Sequence, residues 1–198
     1  MIRSFCYLPR PLQLHRTNGT YHVLDATHTS LPLYFSLKAK HDYYMIGKGP
    51  FIEDVQAALS VLNDKYDVVV IPESRFSFLD HVISNFPNVL RISKRSKLEI
   101  FERALQTPSW RKLDRQAAEK AYDEMGETFT INTIKSNKRK DYVPHLFEEA
   151  HVYMDARMLI ADDFIMSGNT IKALAASVGR TFYDELGIFY QTGAADEN

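Results

Sequence analysis

The chain has 198 residues, 45% apolar and 25% charged, with 24 Lys and Arg against 25 Asp and Glu. That length fits one domain, and that balance belongs to a globular protein rather than a disordered or fibrous one. A net charge of −1 argues against a dedicated nucleic-acid coat, and no run approaches the roughly 18 apolar residues of a membrane helix.

The one cysteine, Cys6, has no internal partner for a disulfide, which predicts a reducing, cytoplasmic setting. The start, Met1-Ile2-Arg3-Ser4-Phe5, is broken by Pro9 and Pro11 and is expected to carry no secretory segment. Tyr21–Leu24 and Leu33–Leu37 read as short strands. The breaker cluster Gly47-Lys48-Gly49-Pro50 sets Pro50 in the first turn of a helix, and Ile52, Val55, Leu59 and Leu62 share one face of it. Asp67–Pro72 is a β-branched run without alternation, as a strand buried on both faces requires. A helix around Phe78–Asn85 follows, then a second strand over Asn88–Ser93.

A charged segment, Lys94 to Ala150, then holds helix-like stretches at 98–105 and 113–125 and a basic run from Lys135 to Lys140. It is too long for a plain crossover and reads as an elaborated one, or as a lid over one end of the sheet. Arg157–Ala161 is a third buried strand, predicted to end in Asp162-Asp163. Ile171, Leu174, Ala175 and Val178 line a helix closed by Gly179. Strands alternating with helices predict an α/β fold, a Rossmann-like parallel sheet flanked by helices.

Chemistry concentrates in Leu159–Thr170. A buried strand delivers two carboxylates to its carboxyl end, where open α/β sheets bind ligands. Ser167-Gly168-Asn169-Thr170 then opens a helix, whose free N–H groups and positive dipole end hold a phosphate. Gly168 permits close backbone approach, and the Ser167 and Thr170 hydroxyls add donors. Carboxylates repel phosphate, so Asp162 and Asp163 suit sugar hydroxyls or a hydrated metal ion beside it. The expected ligand carries a phosphate at one end and a polyol at the other. The histidines show no compelling metal spacing; His145 and His151, for example, are not at helical i, i+4 separation.

This stretch resembles the phosphoribosyl pyrophosphate (PRPP) motif of the type I phosphoribosyltransferases: apolar residues, two acids, three variable residues, Ser or Thr, Gly, any residue, then Thr or Ser. The clear match spans about a dozen residues. The resemblance implies a type I phosphoribosyltransferase-like domain over 1–198, with residues 1–46 as a hood over the active site and 94–150 as an inserted lid segment. It implies that Asp162 and Asp163 contact the ribose hydroxyls as the catalytic pair and hold Mg²⁺ indirectly, through water or PRPP. Met166, Ser167, Gly168, Asn169 and Thr170 would cradle the 5-phosphate. Ser74 and Arg75, after the first core strand, and Lys94 and Arg95, after the second, would bind pyrophosphate. The family's glycines are absent from the loop at Glu73-Ser74-Arg75.

The activity so implied is transfer of ribose 5-phosphate from PRPP to a nitrogenous base, with Mg²⁺ and release of pyrophosphate. Members acting on 6-oxopurines carry an Asp where Met166 stands, and methionine cannot accept the proton of such a base. The family is often dimeric, and the aromatic-rich start is a candidate interface. Two alternatives stay open: a non-catalytic PRPP- or nucleotide-sensing protein of the same fold, and another phosphate-binding α/β enzyme. The last has no Gly-x-x-x-x-Gly-Lys-Ser/Thr loop to support it.

Overall fold

The computed structural model describes residues 3–27, 30–38, 43–74, 78–124 and 136–191. Its spine is a six-stranded sheet, with strands numbered in chain order. From one edge to the other run β2 (His15–Thr17), β3 (Thr20–Asp25), β8 (Asp184–Tyr190), β7 (Met158–Ile165), β5 (Val68–Pro72) and β6 (Val89–Ile92). Only β2 is antiparallel to its neighbour. Asn18 and Gly19, both at positive φ, make the two-residue turn that joins it to β3. β1 (Arg3–Cys6) and β4 (Tyr43–Ile46) form a separate parallel pair.

Strand residues alternate between two cores. Val69, Ile71, Leu159 and Ala161 belong to one, with α1 (Leu31–Leu37), α2 (Lys48–Leu59) and α3 (Phe78–Val82). Val70, Met158 and Ile160 belong to the other, with α4 (Lys97–Leu105), α5 (Lys112–Glu124), α6 (Ser136–Tyr142) and α7 (Asn169–Ser177). A parallel sheet buried on both faces explains the unbroken apolar runs at Val68–Ile71 and Met158–Ala161. The result is a mixed α/β fold with a mostly parallel central sheet between helical layers. No helix among the described residues is long and apolar enough to cross a membrane.

Leu33–Leu37, predicted as a strand, lies within helix α1. Pro32 sits in its first turn, where the missing N–H costs nothing, and Leu33 and Leu37, one helical turn apart, are both buried. A five-residue, mainly apolar run satisfies either period, and long-range packing decided it. The described parts of 94–150 build the helical layer on the α7 face. Ser96 and Glu99 close a capping box at the start of α4, and Trp110, Tyr142, Leu146 and Phe147 share a core with Ile92 and Met158. Residues 125–135, in the middle of the predicted lid, lie outside the described residues.

The third core strand also runs past its predicted end. β7 continues to Ile165 because β8 pairs with it throughout, Asp162 opposite Gly187 and Phe164 opposite Phe189. Its ladder to β5 stops at Val70 opposite Ile160. β5 leads to β6 on one side, and the chain then returns to lay β7 on the other. This reversal of strand order marks a crevice at the carboxyl ends of β5 and β7. At the amino ends, Arg157 pins the same two strands: its amide and guanidinium donate to Asp67 at 2.7 and 2.8 Å.

Candidate functional site

A cavity of about 270 Å³ lies where β7 passes into α7, lined among others by Tyr34, Asp162, Asp163, Met166, Gly168 and Thr170. The sequence-predicted acid pair and phosphate loop are therefore brought together around one space. A larger, mainly apolar hollow of about 460 Å³, lined by Phe5, Tyr7, Leu24 and Leu33 among others, has no carboxylate in its lining.

The phosphate side is backbone. Gly168, at φ 66° and ψ 7°, stands just before the first turn of α7, and no side chain caps that turn. The Gly168 carbonyl accepts from Lys172 N–H at 2.9 Å, while the first amides of the helix have no intrahelical acceptor. They carry the positive end of the dipole toward the cavity. A Cβ added at Gly168 would meet nothing within 4 Å. Glycine suits this position for its left-handed backbone, and the space beside it is open.

The acids are divided. Adjacent residues of a strand project to opposite faces. Asp162 accepts the hydroxyl of Thr170, on α7, and the amide of Asp163 at 2.9 Å. Asp163 turns the other way and forms an ion pair with Lys38, at the end of α1. Both carboxylates border the cavity, and among the described residues Asp163 is the one in an ion pair with an ammonium. Burial, and then the charge of Asp163, raises Asp162 far above the ordinary carboxylate value, to about 7; the Asp163 amide, the Thr170 hydroxyl and Lys38 oppose the rise.

Tyr34 supplies the third wall. Its ring packs against Phe164 and Phe189, with centroids at 4.9 and 5.4 Å. Burial and the two nearby carboxylates raise its phenol, so the hydroxyl stays a donor at neutral pH. Neither Tyr34 nor Lys38 was among the residues expected from sequence. They lie four apart and so share a face of α1, a signal hidden once the segment is read as a strand.

The expected pyrophosphate residues fare differently. Ser74, Lys94 and Arg95 all follow core strands at their carboxyl ends, but none lines this cavity. Glu73 N–H donates to the Ile92 carbonyl at 2.9 Å, and the Ser93 hydroxyl donates to the Glu73 carboxylate, which ties the loops after β5 and β6 together. Lys94 forms an isolated bridge with Phe147. Arg95 is turned inward. Its side chain is 7% exposed, and its guanidinium donates to the Phe147 carbonyl and pairs with Glu149 at 3.4 Å. A buried guanidinium needs acceptors, and it takes them from the 145–149 segment. Arg75 lies outside the described residues.

Hard oxygen donors suit Mg²⁺, but the described residues contain no group of three or more His, Cys, Asp or Glu side chains able to hold a metal ion. Comparison of the sequence with family models and with curated proteins finds no match.

Proposed function

We propose that this protein is a phosphoribosyltransferase, transferring ribose 5-phosphate from PRPP to a nitrogenous base, with release of pyrophosphate, in nucleotide synthesis or salvage. One observation carries the reading: an uncapped helix start and two carboxylates, one from each side of β7, border the same cavity. A sugar phosphate matches both ends of that arrangement.

In this reading the amides at the start of α7 bind the 5-phosphate, with the Ser167 hydroxyl beside them. Asp162 and Asp163 accept the ribose hydroxyls and face the positive charge that grows on the sugar as pyrophosphate leaves. Mg²⁺ bound with PRPP offsets the charge on the leaving group. Tyr34, carried by the N-terminal hood, offers an aromatic wall for a planar acceptor. Met166, 42% exposed at the cavity rim, has no proton-accepting atom, which disfavours a 6-oxopurine acceptor.

A second reading is a non-catalytic PRPP or nucleotide sensor of the same fold. The observation that favours it is Arg95, whose guanidinium is taken up by the Phe147 carbonyl and Glu149 rather than left for a diphosphate. Incubation with Mg²⁺, diphosphate-labelled PRPP and a panel of bases separates the two. Base-dependent release of pyrophosphate is expected. Binding of PRPP without release selects the sensor, and no binding of PRPP removes both.

A further inference from the structure

Two carboxylates beside a phosphate site pose an electrostatic problem. Unpaired, they would repel a phosphate ester and attract a bare divalent cation, since both acids are hard-oxygen donors. The ion pair between Lys38 and Asp163 addresses this. Its partners are 16% and 11% exposed, so water screens it weakly. The Lys38 amine also acts on Asp162, where it favours the charged form. With Lys38 in place, its ammonium offsets the charge of Asp163 at the cavity floor and leaves Asp162 as the acid that faces the positive end of α7.

We propose that Lys38 is the specificity-determining charge of this cavity: by neutralising Asp163 it admits an anionic sugar phosphate and discourages a bare divalent cation. The proposal rests on the sugar-phosphate reading above and extends it to a residue from the hood. Lys38 belongs to the segment that follows α1, 125 positions before Asp163 in the chain, so the charge balance exists only once α1 is docked.

The test uses ribose 5-phosphate and Mn²⁺ as separate probes, each titrated by calorimetry against the full chain. Lys38→Met should weaken ribose 5-phosphate binding about tenfold or more and strengthen Mn²⁺ binding by a similar factor, since one unit of floor charge acts oppositely on the two. Lys38→Arg should keep both affinities near the parent. Lys38→Gln, which keeps a hydrogen-bond donor for Asp163 but no charge, should move both affinities in the same opposite directions as Lys38→Met. A merely structural role would weaken both probes together, and that result overturns the proposal, as does Lys38→Met with both affinities unchanged. Should Lys38→Met not fold, Lys38→Gln decides: weaker ribose 5-phosphate binding with stronger Mn²⁺ binding upholds the charge role, and parallel loss of both, or no change in either, overturns it. Failure of the parent to bind ribose 5-phosphate defeats the functional reading instead, and a Mn²⁺ gain in Lys38→Met then still identifies Lys38 as the charge that keeps cations out.

Discussion

The hydroxyl of Thr170 donates to the carboxylate of Asp162, which also accepts the amide of Asp163 at 2.9 Å. The first turn of α7 is thereby joined to the strand that precedes it, across the loop that would hold a phosphate. On the other face Lys38 joins α1 to the next residue of the same strand. Helices from opposite layers of the fold are tied to consecutive acids, and the cavity lies between them.

Removing either acid should have unequal effects. Asp163→Asn leaves the Lys38 ammonium poorly exposed and without its counter-charge, so it should destabilise the fold by about 3 kcal/mol. Asp162→Asn leaves no such cation behind and should cost little at neutral pH. Urea unfolding of the two variants checks the asymmetry, and equal destabilisation would contradict the division of partners described above.

The raised pKa of Asp162 makes a pH-dependent difference. Its ordinary value is 3.8 and its folded value about 7, so the folded state holds the proton more tightly than the unfolded chain does. This contribution to stability is fully present below 3.8 and is lost as pH rises through about 7. Asp162→Asn removes the dependence. The stability of the variant relative to the parent should therefore rise between pH 4 and pH 8, read as the denaturation midpoint of the variant minus that of the parent. A difference that falls with pH would give the wrong sign.

At Gly168 the demand is on the backbone. Gly168→Ala should cost about 1–2 kcal/mol for holding an L residue at φ 66°, with no added clash because the space around the new Cβ is open. Gly168→Val should cost more, since a β-branched residue resists that conformation further. Denaturation midpoints for the two variants provide the measurement. Equal tolerance of both would mean that the turn relaxes to negative φ without loss.

Arg95 should behave as a brace. Arg95→Met strands the Phe147 carbonyl it now serves and should destabilise the protein by about 1–3 kcal/mol. Once corrected for the folded fraction, PRPP affinity should change less than twofold. A large loss of diphosphate affinity at unchanged stability would instead return Arg95 to the pyrophosphate role expected from its position after β6.

Much of the frame is legible locally. The β-branched run at Val68–Ile71, the apolar run at Met158–Ala161 and the helical face of Ile171, Leu174 and Ala175 each declare themselves within a few residues, and they bring Asp162, Ser167, Gly168 and Thr170 to one junction. Those are properties of short windows: side-chain volume, β-branching and the spacing of apolar positions. Tertiary structure decided the rest. It made Leu33–Leu37 helical, carried β7 through both acids by pairing it with β8, gave Asp163 to Lys38, and turned Arg95 toward Phe147. In each of these the deciding partner lies far away in the chain. Hydrogen bonding and charge neutralisation depend on distance in space, and a local pattern cannot state which distant group will fill it.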